Sequence, residues 1–564
     1  MRWTIKPKPE SHKIEALKNA LQVDEVIATL LIQRGIETYD AAKSFFRPDL
    51  SELHDPFLMR DMDKAVARIE QALEAGENIM VYGDYDVDGT TSVALISSYL
   101  RTRQDNIATY IPDRYDEGYG VSYKGIDFAH DNDITLIVAL DCGIKAIDKV
   151  AYAKEKGIDF IICDHHRPGA ELPDAAAVLD PKRDDCKYPY KELCGCGVGF
   201  KLIQALAERE GLGLQDLQVY LDLVATAIGA DIVPITGENR VLAYYGLQVI
   251  NSNPRAGIQA ILNQVKKTEF TITDVVFIVA PRINAAGRMK HGNYAVQLLT
   301  EQDLTLAEQF AAEIEQFNLD RREADQDITK QALIQIETNK EQERLTTVVY
   351  QEDWHKGVIG IVASRLTETY YRPTLVFTKS GDKLAASARS VIGFDVYNAL
   401  EACSEHIEQF GGHKYAAGLT LKQENYEAFK QAFEDAVSNT IDRKLLTPEL
   451  KIDARISFNE ITPKFYRILK QFAPLGPGNM SPIFITEDVL DTGYSKKVGK
   501  DEEHLRVVLK QPNAPTFTGI GFGLGDKIDI VSTTKPFNIA YSVDENHWNG
   551  EVSLQLKLRD LNTW

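Results

Sequence analysis

Apolar positions along the chain change their spacing three times. Up to about residue 75 they recur at helical intervals, through Ile14, Leu17, Leu21, Val26, Leu30 and Leu31, and again through Ala65, Ile69 and Leu73. From residue 77 short apolar runs alternate with helical stretches. Strands are predicted at Asn78–Gly83, Ala108–Pro112, Ile134–Leu140 and Asp159–Cys163, with helices at Ser92–Arg103 and Ala146–Lys156. Strand, helix and strand in that order imply a parallel sheet with crossover helices. A short strand at Ala177–Pro181, a glycine-led helix at Gly195–Glu210 and an apolar helix at Leu221–Ile228 follow, the last running into Gly229-Ala-Asp231.

Between Asn293 and Lys356 there is neither glycine nor proline, and roughly 303–343 reads as a long helix. A second α/β unit comes next, with strands at Thr347–Tyr350 and Thr374–Phe377 around a helix at Ile361–Glu368. After residue 448 short strands alternate with turns, interrupted by one helix near Pro463–Phe472, the texture of a small barrel of the OB class. The expected fold class is α/β: two α/β lobes joined by a long helix, plus a C-terminal OB-like β-barrel. The divisions are a helical segment packing on the next domain (1–75), a parallel-sheet lobe (76–300), the connecting helix (301–345), a second lobe (346–445) and the barrel (448–564).

Composition narrows this picture in three ways. At 564 residues, with 44% hydrophobic and 26% charged positions, the chain is a multidomain globular protein. A net charge of −20 excludes a simple basic coat for polyanions, but not a local basic groove assisted by bound cations. No long apolar span and no signal-like start is present, so the expected location is the cytoplasm, with no membrane partner. The six cysteines read as reduced structural thiols, and Cys194-Gly-Cys196 lacks zinc-knuckle spacing.

The chemistry lies where strands end. Asp84-Tyr-Asp86-Val-Asp88-Gly follows the first strand, Asp141-Cys-Gly the third, and Asp164-His165-His166 the fourth, while Asp231 follows the apolar helix. In open α/β sheets these carboxyl ends converge on one cleft. Any one of these motifs alone is ordinary surface or packing, but the set closes apolar segment after apolar segment of one domain. Carboxylates with imidazoles and no cysteine suit Mn²⁺ or Mg²⁺, and two ions about 4 Å apart polarise a phosphate and supply hydroxide. Asp141 is the expected bridge, because its strand belongs between the other two; Asp88 is left as an auxiliary.

Together with Leu193-Cys-Gly-Cys-Gly-Val-Gly199, Pro281-Arg-Ile-Asn-Ala-Ala-Gly-Arg288, Trp354-His-Lys-Gly-Val-Ile-Gly360, Ser387-Ala-Arg389 and Gly411-Gly-His413, these motifs resemble the DHH phosphoesterase family and its single-strand exonuclease branch over essentially the whole length. The resemblance implies Asp84 and Asp141 on one metal, and Asp86, Asp141, His165 and Asp231 on the other. It implies His166 facing the scissile phosphate, with Asp164 orienting the ligands, so that Asp141, Asp164 and His166 form the catalytic group. The second lobe resembles the DHHA1 domain, whose Ser387, Arg389 and His413 would grip the strand near its 5′ end, with Arg114, Arg282 and Arg288 as further phosphate ligands. Many family members carry a histidine four residues before the first Asp; Met80 stands there in this chain, which implies a more weakly held first metal. In the barrel, Phe517, Phe522, Tyr541 and Trp548 are available for base stacking, beside Lys496, Lys497 and Lys500.

The implied activity is 5′→3′ hydrolysis of single-stranded DNA to mononucleotides with Mn²⁺ or Mg²⁺, in recombination and repair. The implied enzyme is a monomer partnered by a RecQ-type helicase and a single-strand-binding protein. Two other readings stay open: a phosphoesterase for short oligonucleotides, cyclic dinucleotides or pyrophosphate, and a non-catalytic DNA-binding scaffold.

Overall fold

The computed structural model describes residues 1–548 and 550–563, with the side chain of Trp548 also outside the description. Strand β1 (Arg2–Ile5) opens the chain and pairs in parallel with the strand Glu449–Ile452 near the other end. The helices Ser11–Leu21, Glu25–Ile32 and Tyr39–Phe46 then bury Ile14, Leu17, Leu30, Leu31 and Phe45 against Phe458, Phe465 and Phe472 of the C-terminal domain. This corrects the expectation that residues 1–75 pack as one segment on the first lobe. Only the later part does, where Met62, Ala65, Val66 and Ile69 of the helix Met62–Ala75 join the first lobe's core. Helical periodicity identifies a buried face but not the surface it covers, and nothing in that pattern predicts β1.

The first lobe is a five-stranded, wholly parallel sheet of β2 (Asn78–Gly83), β3 (Ile107–Tyr110), β4 (Ile134–Leu140), β5 (Asp159–Cys163) and β6 (Ala177–Leu179). The strand order is β3-β2-β4-β5-β6. The chain leaves β2 to one side and returns on the other, so a topological switch point lies between β2 and β4. Gly83, Leu140, Cys163 and Leu179 pair in register as one row across four strands. Each is the last residue of its strand and each is followed by an aspartate: Asp84, Asp141, Asp164 and Asp180.

The helix Leu304–Thr338 links the lobes. Its first half buries Ala307, Ala311, Ile314 and Phe317 in the first lobe's core. Its second half buries Ile328, Ala332 and Ile336 against Trp354, Val358 and Val362 of the second lobe. That lobe is a five-stranded mixed sheet of β7 (Thr347–Tyr350), β8 (Thr374–Ser380), β9 (Lys383–Arg389), β10 (Gln409–Gly412) and β11 (Ala416–Lys422), ordered β10-β11-β9-β8-β7.

The last domain holds β12 (Glu449–Ile452), β13 (Ala454–Arg455), β14 (Phe484–Asp491), β15 (Lys496–Val498), β16 (His504–Lys510), β17 (Phe517–Gly521), β18 (Phe537–Trp548) and β19 (Glu551–Asn562). The sequence β14-β18-β19-β17-β16 closes on itself through pairing of β16 with β14, a five-stranded barrel extended by β13 and β15. Arg240 ties this domain to the first lobe. Its buried guanidinium donates to the carbonyls of Phe45, Gln471, Phe472, Ala473 and Pro474.

Candidate metal centre and phosphate cleft

Two tight approaches build the floor of the centre. Asp86 caps the helix Val87–Arg101 by accepting the Gly89 N–H at 2.9 Å. A side chain on Gly89 would place its Cβ 2.2 Å from the Asp84 carbonyl oxygen, so only glycine lets this helix start against the end of β2. Asp141 adopts a left-handed backbone, φ +57°, which an aspartate tolerates better than a branched residue. The helix Gly195–Arg209 begins so close to it that a Cβ on Gly195 would sit 2.6 Å from the Asp141 Cβ.

Carboxylates and imidazoles meet above this floor. His165 Nε2 lies 3.1 Å from Asp141 Oδ1 and 3.7 Å from both Asp88 Oδ2 and Asp231 Oδ2, yet neither nitrogen of this buried ring makes a hydrogen bond. Asp84 receives the Gly120 N–H at 3.2 Å on one oxygen, and its other oxygen is buried without a partner. Asp231 closes the helix Leu221–Asp231. Two overlapping donor groups result, Asp141 with His165 and His166, and Asp88 with His165 and Asp231, each with all its donor atoms within 4.8 Å of one another.

Asp88 is more central than its sequence position conveys. Its two oxygens accept the N–H groups of Gly195 at 2.6 Å and Cys196 at 2.7 Å, the free donors at the start of a helix, while its Oδ2 faces His165. Asp180, the fourth strand-end aspartate, is absent from the candidates read from the sequence. It is buried with one oxygen unpartnered, and the signal that would find it is the one that marks its three neighbours, an acid directly after an apolar strand.

Burial and crowding push the carboxylates towards neutrality. Asp84 is raised by burial and then by Asp86; Asp141 by burial and then by Asp88 and Asp86. Asp88 is pushed up to about 7 and Asp231 to about 8, both by burial first. Burial and the neighbouring His166 push His165 down to about 3, so its ring is neutral and its lone pair free. Burial also opposes charge on His166, but a 2.7 Å hydrogen bond to Asp164 and that carboxylate's charge outweigh it, and His166 rises to about 9. Asp164 itself is saturated from within the chain. It accepts from the backbone N–H groups of Ile144, His165 and His166, and it positions rather than offers a free donor. Tyr119, also missing from the sequence candidates, sets its hydroxyl 3.2 Å from the Asp141 carbonyl oxygen and from His166 Nε2.

The chemistry of this donor set fits hard divalent cations. Clustered buried carboxylates, one neutral imidazole and orphaned acceptor atoms outnumber the cationic His166 beside them, so a further cation is what would satisfy them. Met80 points into the core between the sheet and the helix Tyr123–Asp131, away from this set.

A second cluster is cationic. Arg114 stacks over Tyr85 with 4.6 Å between guanidinium and ring centroid. Arg288 donates to the Gly357 carbonyl at 2.9 Å and is pushed down to about 9 by burial and then by Arg114, Arg389 and Arg321. Arg389 donates to Ser387 Oγ at 3.0 Å. Gly360, in the first turn of the helix Ile359–Tyr370, approaches so closely that a Cβ would lie 2.9 Å from Ser387 Oγ and 3.0 Å from Arg389 Nη2. His413 is exposed on the turn between β10 and β11, and in the adjoining register Gly411 faces Gly418, which faces Ser387. Arg282 stands apart: its guanidinium is ion-paired with Glu315 at 2.7 Å and donates through Nη1 to the Ile278 carbonyl, so its charge is met within the protein although its buried Nε makes no hydrogen bond.

The barrel aromatics separate as well. Phe517 and Tyr541, offered for stacking, are buried in the barrel core, whereas Phe522 is exposed and packs edge-on to His504. Trp548 lies outside the described side chains. Lys496 and Lys497 lie on β15, with Lys496 opposite the exposed Arg506.

This arrangement defines a class: a parallel-sheet carboxylate and imidazole centre beside a guanidinium cluster drawn from both lobes. Residues 78–228 match the DHH family N-terminal domain, residues 343–439 the DHHA1 domain and residues 452–560 the RecJ OB domain. The chain is 34% identical over 564 residues to the single-stranded-DNA-specific exonuclease RecJ of Bacillus subtilis (strain 168), an alignment covering 99% of this chain and 70% of that protein. It therefore belongs to the RecJ family. Its structure is similar to that of RecJ from Thermus thermophilus in complex with Mn²⁺, with a TM-score of 0.86 and 27% identity over 100% of this chain and 79% of that one. The same protein in complex with Mg²⁺ matches with a TM-score of 0.80 and 26% identity, over 99% and 78% of the two chains.

Proposed function

We propose that this protein is a single-stranded-DNA-specific exonuclease that works 5′→3′, releases mononucleotides, and uses two Mn²⁺ or Mg²⁺ ions. One observation carries the reading: three strand-end aspartates and an unpartnered neutral His165 lie beside a cluster of guanidiniums that makes no carboxylate ion pair among the described residues.

Asp84, Asp86, Asp141, His165 and Asp231 are the residues assigned to the ions, with Asp141 central because β4 lies between β2 and β5. Bound there, the ions would supply Lewis-acid polarisation of the phosphodiester and a nucleophile at neutral pH. Asp164 holds His166 as a cation whose second N–H, 3.2 Å from the Tyr119 hydroxyl, would turn to a phosphate oxygen. Tyr119, raised far above the ordinary phenol range by burial and then by Asp141, stays protonated and donates to the Asp141 carbonyl, bracing the ends of the site. Arg389 and Ser387, with Arg114 and Arg288, hold strand phosphates without reading bases. Asp88 aligns the centre through the helix that starts at Gly195, a role beyond direct ligation.

The closed barrel with exposed Phe522, Lys496 and Arg506 supports a long polymer over a dinucleotide substrate. Repair and recombination, a RecQ-type helicase and single-strand-binding protein as partners, a monomeric state and a cytoplasmic location belong to the same proposal. No helix among the described residues is long and apolar enough to cross a membrane. The test compares a long 5′-phosphorylated strand with a dinucleotide at equal phosphodiester concentration. Faster turnover of the long strand is expected, and preference for the dinucleotide would transfer the reading to a small-substrate phosphoesterase.

A further inference from the structure

The middle of the connecting helix carries a charge that its packing does not explain. Between Phe317, the last of its residues buried in the first lobe's core, and Ile328, the first buried with the second, the helix crosses the cleft. Arg321 lies in that stretch. The two acids whose charge it feels, Asp325 four residues on and Glu315, are each ion-paired to another arginine. Glu315 pairs with Arg282 at 2.7 Å, and Asp325 takes Arg365 in a bidentate pair at 2.7 and 2.8 Å. Arg321 is left with one hydrogen bond of 3.0 Å, from Nη2 to Asn318 Oδ1, and a buried Nε–H with no acceptor. Asn318 is itself buried and braced by Glu315 at 3.3 Å, so the guanidinium is aimed rather than loose.

A buried cationic donor without an acceptor is costly, and a partner from outside the chain removes that cost. The charge of Arg321 reaches Arg288, which it disfavours together with Arg114 and Arg389. These four arginines come from the loop after β3, the end of the helix Ala280–Met289, the connecting helix and the end of β9. None of the four makes a carboxylate ion pair among the described residues, in a chain of net charge −20. Such a concentration of like charge is relieved by a polyanion.

We infer that Arg321 is a substrate-binding residue that holds an internucleotide phosphate of the single strand from the connecting helix, between the metal centre and the Ser387–Arg389 end. The helix is thereby part of the binding surface as well as the joint between lobes. This rests on the proposed action on single strands. A guanidinium binds a phosphodiester through its N–H donors, and with Nη2 held by Asn318 the Nη1 donors of Arg321 remain for a strand phosphate.

The test uses full-length protein with Mn²⁺ and a 5′-phosphorylated oligothymidine, measuring binding and turnover across a salt series. Arg321→Gln is compared with Arg322→Gln, a change at the exposed neighbour on the same helix. Arg321→Gln is expected to flatten the plot of log affinity against log salt by about 0.7, one phosphate contact to a single strand. Its KM should rise about tenfold, the loss of one charge-assisted hydrogen bond, with kcat retained. Arg322→Gln should leave both unchanged. An unaltered slope in Arg321→Gln, or an equal effect from Arg322→Gln, overturns the assignment. Should the glutamine variant not fold, Arg321→Lys keeps the charge; it is expected to preserve the slope and raise KM, and a wild-type KM overturns the assignment. Failure of the wild-type protein to degrade the strand refutes the underlying function instead, a separate outcome.

Discussion

Replacing Asp88 by asparagine tests how the centre is organised. The wild-type carboxylate joins two features, the N–H pair at Gly195 and Cys196 and the His165 face, and asparagine can serve only part of that. Its amide oxygen accepts one backbone N–H, while its NH₂ group opposes the other. The loss is one hydrogen bond to a charged acceptor, about 1.5–3 kcal/mol. Offsetting it, the metal-free fold is relieved of a buried charge that burial and Asp86 disfavour. Metal-free stability should therefore change little. The metal-bound state has no such relief and loses a negative charge next to the ions. By the usual cost of disturbing a residue that orients ligands, Mn²⁺ affinity should fall about 10–100-fold. The assay is Mn²⁺ titration of exonuclease activity, with calorimetry on the substrate-free protein. Asp88→Asn should need correspondingly more Mn²⁺ for half-maximal rate and recover most of its kcat at saturation. A wild-type titration curve would refute the reasoning, as would a kcat that stays below a hundredth at saturating metal, which would make Asp88 an indispensable ligand.

Asp88 and Asp231 have folded pKa values of about 7 and 8, above the unfolded value near 4, so metal-free folding is favoured by protons bound at low pH and loses that contribution as pH rises through 7–8. Cations displace those protons, so the rise in melting temperature on adding Mn²⁺ should grow from pH 6 to pH 8; an increment that is flat or shrinks would contradict the raised carboxylates. Arg389→Ala should raise KM at least several-fold with a smaller effect on kcat, and an unchanged KM in steady-state kinetics would remove it from the phosphate cleft. Lys201→Met strands Glu238, its fully buried partner at 3.0 Å, and should cost about 3 kcal/mol in urea unfolding; a loss below about 1 kcal/mol would show that Tyr188 and the His54 N–H satisfy Glu238 alone.

Much of the fold is legible because short strands, long helices and turn-rich β segments have distinct periods. The parallel sheet, the connecting helix and the barrel follow from those periods and reappear within a few residues of the expected limits. The first 46 residues are misplaced by the same reasoning because an amphipathic helix shows that it has a partner, not which one, and their partner lies more than 400 residues along the chain. In the candidate site, acids at strand ends can be read as neighbours because parallel register aligns those ends. Asp88 cannot be ranked that way, since its importance comes from N–H groups 107 and 108 residues away. The pairing of Arg282 with Glu315 and the burial of Phe517 and Tyr541 are likewise beyond reach: an arginine or aromatic in a motif does not reveal which way it turns.

The most direct test of the account is a digestion of 5′- and 3′-labelled single strands and duplexes with Mn²⁺, using wild type and Asp141→Ala. Wild type should release the 5′ label at once as a mononucleotide, shorten 3′-labelled strands progressively, and spare blunt duplex. Asp141→Ala should bind the strand and cleave neither label. Release of the 3′ label first, cutting within the strand, or more than about a tenth of wild-type activity in Asp141→Ala would contradict a centre built around Asp141 that works from the 5′ end.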